Sequence, residues 1–155
     1  MADEVRLRAE LLDATRWANE FAWAEIESLA AHLRVERKRK DETVCREGDQ
    51  EPSLYVIAEG SVSILKQDAG ETERLLAKLG PGQTIGEMAL LDGQPRSATV
   101  VAAEDLVLLV LHRTDLDRLV DQKPKLGAKL LWKLARFLSQ RLRQTSGTLA
   151  DRMKG

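Results

Sequence analysis

Cysteine is almost absent from this 155-residue chain, where Cys45 stands alone. One thiol excludes an internal disulfide, and it cannot ligate an iron–sulfur cluster, which needs several thiolates. A reducing cytoplasm is therefore the expected location. Histidine is scarce too: His32 and His112 are isolated and lack metal-ligand spacing, so each reads as a surface or core residue. An excess of one charge is missing, since 24 Lys and Arg face 25 Asp and Glu. That balance gives no global pull toward nucleic acid or an anionic membrane. No run approaches the roughly 18 apolar residues that span a bilayer. The N-terminus "MADEVRLRAELL" mixes charge throughout and has no apolar signal-peptide core. What is present suits a soluble globular protein: 43% apolar and 32% charged residues, enough for one domain with a real core.

The chain reads as helix, then strands, then helix. From Asp3 to about Leu33, apolar residues recur at three- and four-residue steps, as in Leu7, Leu11, Trp17, Phe21, Ile26, Leu29 and Leu33. That periodicity predicts helix in two pieces. "RVERKRK" (Arg34–Lys40) is a basic run with no interleaved aromatic platform, and it reads as a solvated strand or connector. From Thr43 to Leu111 short β-rich runs alternate with turns such as "REGD", "EGS" and "GPGQ". The runs are "LYVIAEG", "VSIL", "RLLAKLG", "SATVVAA" and "DLVLLVL", with Cys45 in a further strand as a structural residue. Such spacing predicts an antiparallel β-roll or jelly roll, because a parallel sheet would need crossover helices.

Helical periodicity returns after His112. Thr114 with Asp117 three residues on forms a short-armed capping box. Pro124 suits the first turn of a last helix. Along that helix Leu126, Leu130, Leu134, Leu138 and Leu142 fall four apart, with Leu131 beside them and Trp132 and Phe137 on neighbouring faces. This stripe is core contact first, with room left for a lid or a partner. The fold class is α+β: a roll over about 41–112, flanked by N-terminal helices and a C-terminal helical lid over about 114–143. Residues 1–20 read as a helical extension and 146–155 as a flexible tail.

One segment is chemically unusual. "IGEMALLDGQPRSATVV" (Ile85–Val101) is mostly small and apolar, yet it holds Glu87 and Arg96 among Gly86, Gly93 and Pro95. Gly86 lets the backbone approach a ligand without a Cβ in the way. A helical turn begun at "EMALLD" directs free N–H groups at one spot that favours an anion. Arg96 supplies a fork of donors shaped for phosphate oxygens. Glu87 repels phosphate but accepts from a hydroxyl, as acidic residues do on ribose. Together these describe a ribose-phosphate pocket. Met88, Leu90 and Leu91 read as core side chains.

These residues carry a resemblance. "GEMALLDGQPRSAT" resembles the phosphate-binding cassette of the cyclic nucleotide-binding domain family, whose members include the catabolite activator protein, kinase regulatory subunits and nucleotide-gated channels. The match runs through Gly86, Glu87, Met88, Ala89, Leu90 and Leu91, then Pro95, Arg96, Ser97, Ala98 and Thr99, and it extends from about Phe21 to Arg143. It departs at Asp41, where relatives usually have Gly before the strand that opens the roll; Asp tolerates the left-handed conformation better than most residues. The resemblance implies a stand-alone bacterial effector domain that binds a cyclic nucleotide. cAMP is the expected ligand and cGMP the alternative, since Ser97 is compatible with both. Glu87 would accept from the ribose 2′-hydroxyl and Arg96 would pair with the exocyclic phosphate oxygens. Backbone N–H groups near Ala89 and Ala98, with the Ser97 hydroxyl, would complete the phosphate shell that Gly86 and Met88 adjoin. Ile64 would line the base pocket, and Arg136 or Phe137 would cover the base.

The expected function is a non-enzymatic sensor that signals through its C-terminal helix to an effector protein. The leucine stripe also suits a homodimer through that helix. Three other classes compete. A transcription regulator needs a DNA-reading helix-turn-helix, for which about twelve residues past the stripe leave no room, so no nucleic-acid partner is expected. A metal enzyme on a β-roll needs clustered ligands. A scaffold of the same fold, its Glu87 and Arg96 merely ion-paired, would bind nothing.

Overall fold

The apolar steps of the first thirty residues fold as α1 (Ala2–Asp13) and α2 (Trp23–Ala30), with a single 3-10 turn at Arg16–Ala18 between them. The computed structural model describes the backbone of residues 2–154 and the side chains of residues 2–147. The break after α1 has a local cause. Thr15 is buried and its hydroxyl donates to the Leu12 carbonyl at 2.7 Å, which competes with continued helix. The Glu25 carboxylate accepts from the Ala22 N–H at 2.9 Å and starts α2. Arg8 Nε donates to the Ala30 carbonyl at 2.9 Å, which ties the two helices together.

Eight strands follow: β1 (Arg34–Lys38), β2 (Thr43–Cys45), β3 (Ser53–Glu59), β4 (Val62–Gln67), β5 (Glu73–Leu79), β6 (Thr84–Ile85), β7 (Thr99–Ala102) and β8 (Leu106–His112). They form two antiparallel four-stranded sheets, ordered β1-β8-β3-β6 and β2-β7-β4-β5. Tyr55, Ile57, Leu108 and Val110 of the first sheet share one apolar core with Val44, Val62, Val100 and Ala102 of the second. This is the β-roll read from the strand spacing. The basic run 34–40 supplies β1, an edge strand, where charge discourages pairing with another chain. Asp41 sits at φ 73°, a left-handed conformation, and its N–H reaches the Ala102 carbonyl at 2.8 Å. Between β6 and β7 lies α3 (Glu87–Asp92).

The C-terminal part is helical: α4 (Arg113–Gln122) and α5 (Pro124–Lys154). α4 starts at Arg113, so Thr114 lies inside the first turn rather than at the expected cap. Asp117 instead pairs with Arg113 Nε at 3.1 Å. Pro124 opens α5, as its missing N–H allows. The helix runs past Arg143 to Lys154, with no proline after Pro124 to interrupt it. By compactness the chain divides after Asp117. In the second unit a Cβ on Gly127 would stand 2.9 Å from the Val120 Cα, so the first turn of α5 and the end of α4 approach closely. No helix among the described residues is long and apolar enough to cross a membrane.

Candidate functional site

β6 and α3 are joined by Gly86, which has φ 86° and ψ 23° and serves as the N-cap of α3. Two constraints require glycine here. The left-handed conformation is costly for residues with a Cβ. A Cβ at this position would also lie 1.8 Å from Arg96 Nη1 and 2.6 Å from the Ser53 carbonyl oxygen. The guanidinium is thus laid directly against the Gly86 backbone.

Arg96 is only 5% exposed. Its backbone is fixed on both sides to the turn after β2: Arg96 N–H donates to the Asp49 carbonyl, and its own carbonyl accepts from Gly48 N–H, both at 2.8 Å. Its side chain is therefore directed inward. There Nη2 donates to the Ser53 carbonyl at 2.8 Å, and the guanidinium carbon stands 5.3 Å from the Tyr55 ring centroid. The Tyr55 hydroxyl is in turn held by Glu51 at 2.8 Å. Two further nitrogens of Arg96, Nε and Nη1, are buried with no hydrogen-bond partner among the described residues. A buried cation with unmade donors costs free energy, so this geometry fits an anionic acceptor supplied from outside the chain.

Glu87 is 3% exposed, at the first position of α3. The Thr84 hydroxyl donates to its Oε1 and orients the carboxylate. Along this short helix Glu87 and Leu90, three residues apart, are buried together with Ala89. Met88 therefore turns outward at 53% exposed, and Leu91 is half-buried. The core reading of Met88 is corrected by this geometry.

The remaining sequence-predicted positions fall in several places. Ser97 is exposed and Ala98 half-buried, directly after Arg96. The Ser97 carbonyl accepts from Lys66 Nζ at 2.8 Å, which pins this loop to β4. Ile64 is half-buried on β4, paired with Val100 of β7 and Ala77 of β5. Arg136 and Phe137 are exposed on α5, in the second unit. The structure thus lays the buried Arg96 against Gly86, with the buried Glu87 as the next residue along the chain.

Three residues that hold this constellation were not read from the sequence. Thr84 lies three residues before Glu87, and its strand, only two residues long, is too short to show an alternating pattern. Ser53 contributes a backbone carbonyl from 43 residues away, which leaves no side-chain signal. Tyr55 was read only as a strand residue. Burial, reinforced by the bond to Glu51, pushes its hydroxyl well above the usual tyrosine range. Burial likewise raises the Cys45 thiol, which the Arg96 charge partly offsets.

Residues 35–123 match the family described as the cyclic nucleotide-binding domain. The chain is 43% identical over 98 residues to a cyclic AMP receptor protein of Thermus thermophilus, covering 63% of this chain and 44% of that one. It is 40% identical over 84 residues to a cyclic nucleotide-gated potassium channel of Mesorhizobium japonicum, covering 54% of this chain and 22% of the channel. The chain thus spans less than half the length of either relative. Among solved structures, a cyclic nucleotide-binding domain from Methylobacillus flagellatus superposes with a TM-score of 0.81 at 29% identity, over 97% of this chain and 85% of that one.

Proposed function

We propose, from the premise that this chain belongs to the cyclic nucleotide-binding domain family, that it is a cAMP-responsive regulatory module with a binding rather than a catalytic task. The observation that carries the reading is the buried Arg96 guanidinium, with Nε and Nη1 lacking acceptors among the described residues, beside a glycine whose missing Cβ makes room for it. A cyclic phosphate supplies what those donors lack: a single negative charge and exocyclic oxygens within reach of a guanidinium. Glu87, oriented by Thr84, accepts from the ribose 2′-hydroxyl. Backbone N–H groups at Met88, Ala89 and Ala98 and the Ser97 hydroxyl complete the phosphate shell, and Ile64 lines the base. The relative named as a cyclic AMP receptor protein supports cAMP as the first ligand to test.

Output is assigned to the C-terminal helix. α5 leaves Trp132 68% and Leu142 67% exposed, and so has apolar surface to offer an effector protein or a second copy of this chain. Arg136 or Phe137 covers the base from this helix. Ligand shifts the helix to the extent that it binds the closed arrangement more tightly than the open one. Isothermal calorimetry with cAMP and cGMP tests the proposal. Saturable binding of cAMP, tighter than cGMP, is expected. Absence of binding for both nucleotides would reduce the domain to a scaffold.

A further inference from the structure

We propose that Arg113 is a positioning residue for the nucleotide site, one that holds the cassette helix α3 from behind and ties it to the first turn of α4. The last carbonyls of a helix have no intrahelical donors and must find partners elsewhere. In α3 the Ala89 carbonyl accepts from Gly93 N–H at 3.0 Å. The next two carbonyls, Leu90 and Leu91, both accept from Arg113 Nη1, at 3.2 and 3.1 Å. A cation at a helix C-terminus is also favoured by the helix dipole. Arg113 stands 22 and 23 residues away in the chain and is the first residue of α4. Its guanidinium is aimed by Asp117, one turn along the same helix, which accepts from Nε at 3.1 Å.

The same junction reaches the other half of the cassette. Arg113 N–H donates to the Pro52 carbonyl at 2.9 Å. The preceding residue, His112, shares a 2.5 Å hydrogen bond with the Ser53 hydroxyl. Ser53 is the residue whose carbonyl takes Arg96. The β8–α4 junction therefore touches both the helix that carries Glu87 and the residue that seats Arg96. A shift of α3 on nucleotide entry has a direct polar route to the start of α4. This inference rests on the sensor reading for its ligand, but the hold on α3 itself is a property of the protein alone.

The test compares wild type with Arg113→Gln and Arg113→Lys by hydrogen exchange and by cAMP titration. Without nucleotide, Arg113→Gln is expected to speed exchange of the Gly93 amide, because the end of α3 loses its hold. With cAMP, the affinity of Arg113→Gln should fall about five- to ten-fold. Arg113→Lys, which keeps the charge but loses the planar fork, should fall about two- to three-fold. Protection of α4 on adding cAMP is expected in wild type and should be absent in Arg113→Gln. Unchanged Gly93 exchange in Arg113→Gln overturns the proposal whatever the ligand does. Faster exchange with wild-type cAMP affinity overturns the positioning role. If wild type itself binds neither cAMP nor cGMP, the sensor reading fails, and Gly93 exchange still decides whether Arg113 holds α3.

Discussion

Glu87 and Arg96 are buried to almost the same degree, yet the molecule secures them in opposite ways. Glu87 is held locally: its partner Thr84 is three residues away, and the first turn of α3 fixes its backbone. Arg96 lies on a loop and is held from a distance. Its side chain takes a carbonyl 43 residues away and stacks over Tyr55, and its backbone is bonded to residues 48 and 49. The local arrangement needs only one short helix. The remote one needs the whole roll to be assembled. The Arg96 end should therefore be the part of the site that reports on folding, and the Glu87 end the part that responds to small changes in ligand.

The largest way to break this contrast is Arg96→Ala. Removing the partner of a buried phosphate should weaken cAMP binding by about 3–5 kcal/mol, with calorimetry as the readout. Equal affinities would remove Arg96 from the site. Next comes Gly86→Ala. The added Cβ meets both the guanidinium and the Ser53 carbonyl at a positive φ, so denaturant unfolding should show a loss of about 2–4 kcal/mol. Because Gly86 links the two ends, cAMP affinity should fall with it. If stability holds, the close packing of Arg96 on the Gly86 backbone is wrong.

A smaller effect isolates the Glu87 end. Wild type should bind 2′-deoxy-cAMP more weakly than cAMP by about 1–3 kcal/mol. Glu87→Ala should bind the two ligands alike, with little change in unfolding midpoint. Discrimination that survives Glu87→Ala would assign the ribose hydroxyl to another group. The smallest expected effect is a pH dependence at the Arg96 end. Cys45 and Tyr55 both have folded pKa values raised above their ordinary ones. The stability they contribute is complete below their unfolded values of about 8.5 and 10 and is lost as pH rises past them toward the folded values. Denaturation midpoints should therefore decline above about pH 9, and Tyr55→Phe with Cys45→Ala should flatten that decline.

The sequence made the two charges legible and left their supports hidden. Glu87 and Arg96 stood out because ionised side chains are rare in a small, apolar segment, and the structure buries both. The roll was legible from strand spacing, and Asp41 from its tolerance of positive φ, which is where the structure puts it. Ser53 was invisible because a backbone carbonyl carries no residue signature. β6 was missed because two residues cannot display an alternating period. Apolar character alone places Met88 in the core; with Glu87 and Leu90 facing inward, the helical angle turns Met88 outward. The four-residue leucine spacing ends at Leu142, which predicts a helix end near Arg143. Burial and helix are separate properties: among the described residues the last buried leucine is Leu134, and the helix continues for 20 residues beyond it.

The single thiol has a practical consequence. Cys45 lies inside the roll, 3% exposed, with its ionisation suppressed by burial. A maleimide dye reacts with the thiolate of an accessible cysteine, so the native protein should remain unlabelled while folded. A cysteine introduced at an exposed position of α5, such as Ser139→Cys, would then take the dye alone, without first mutating the natural residue. One substitution would turn the domain into an optical reporter whose emission follows the environment of α5 as nucleotide is added. The same property offers a check on preparation quality: dye uptake by the unmodified protein would measure the fraction whose roll has come open.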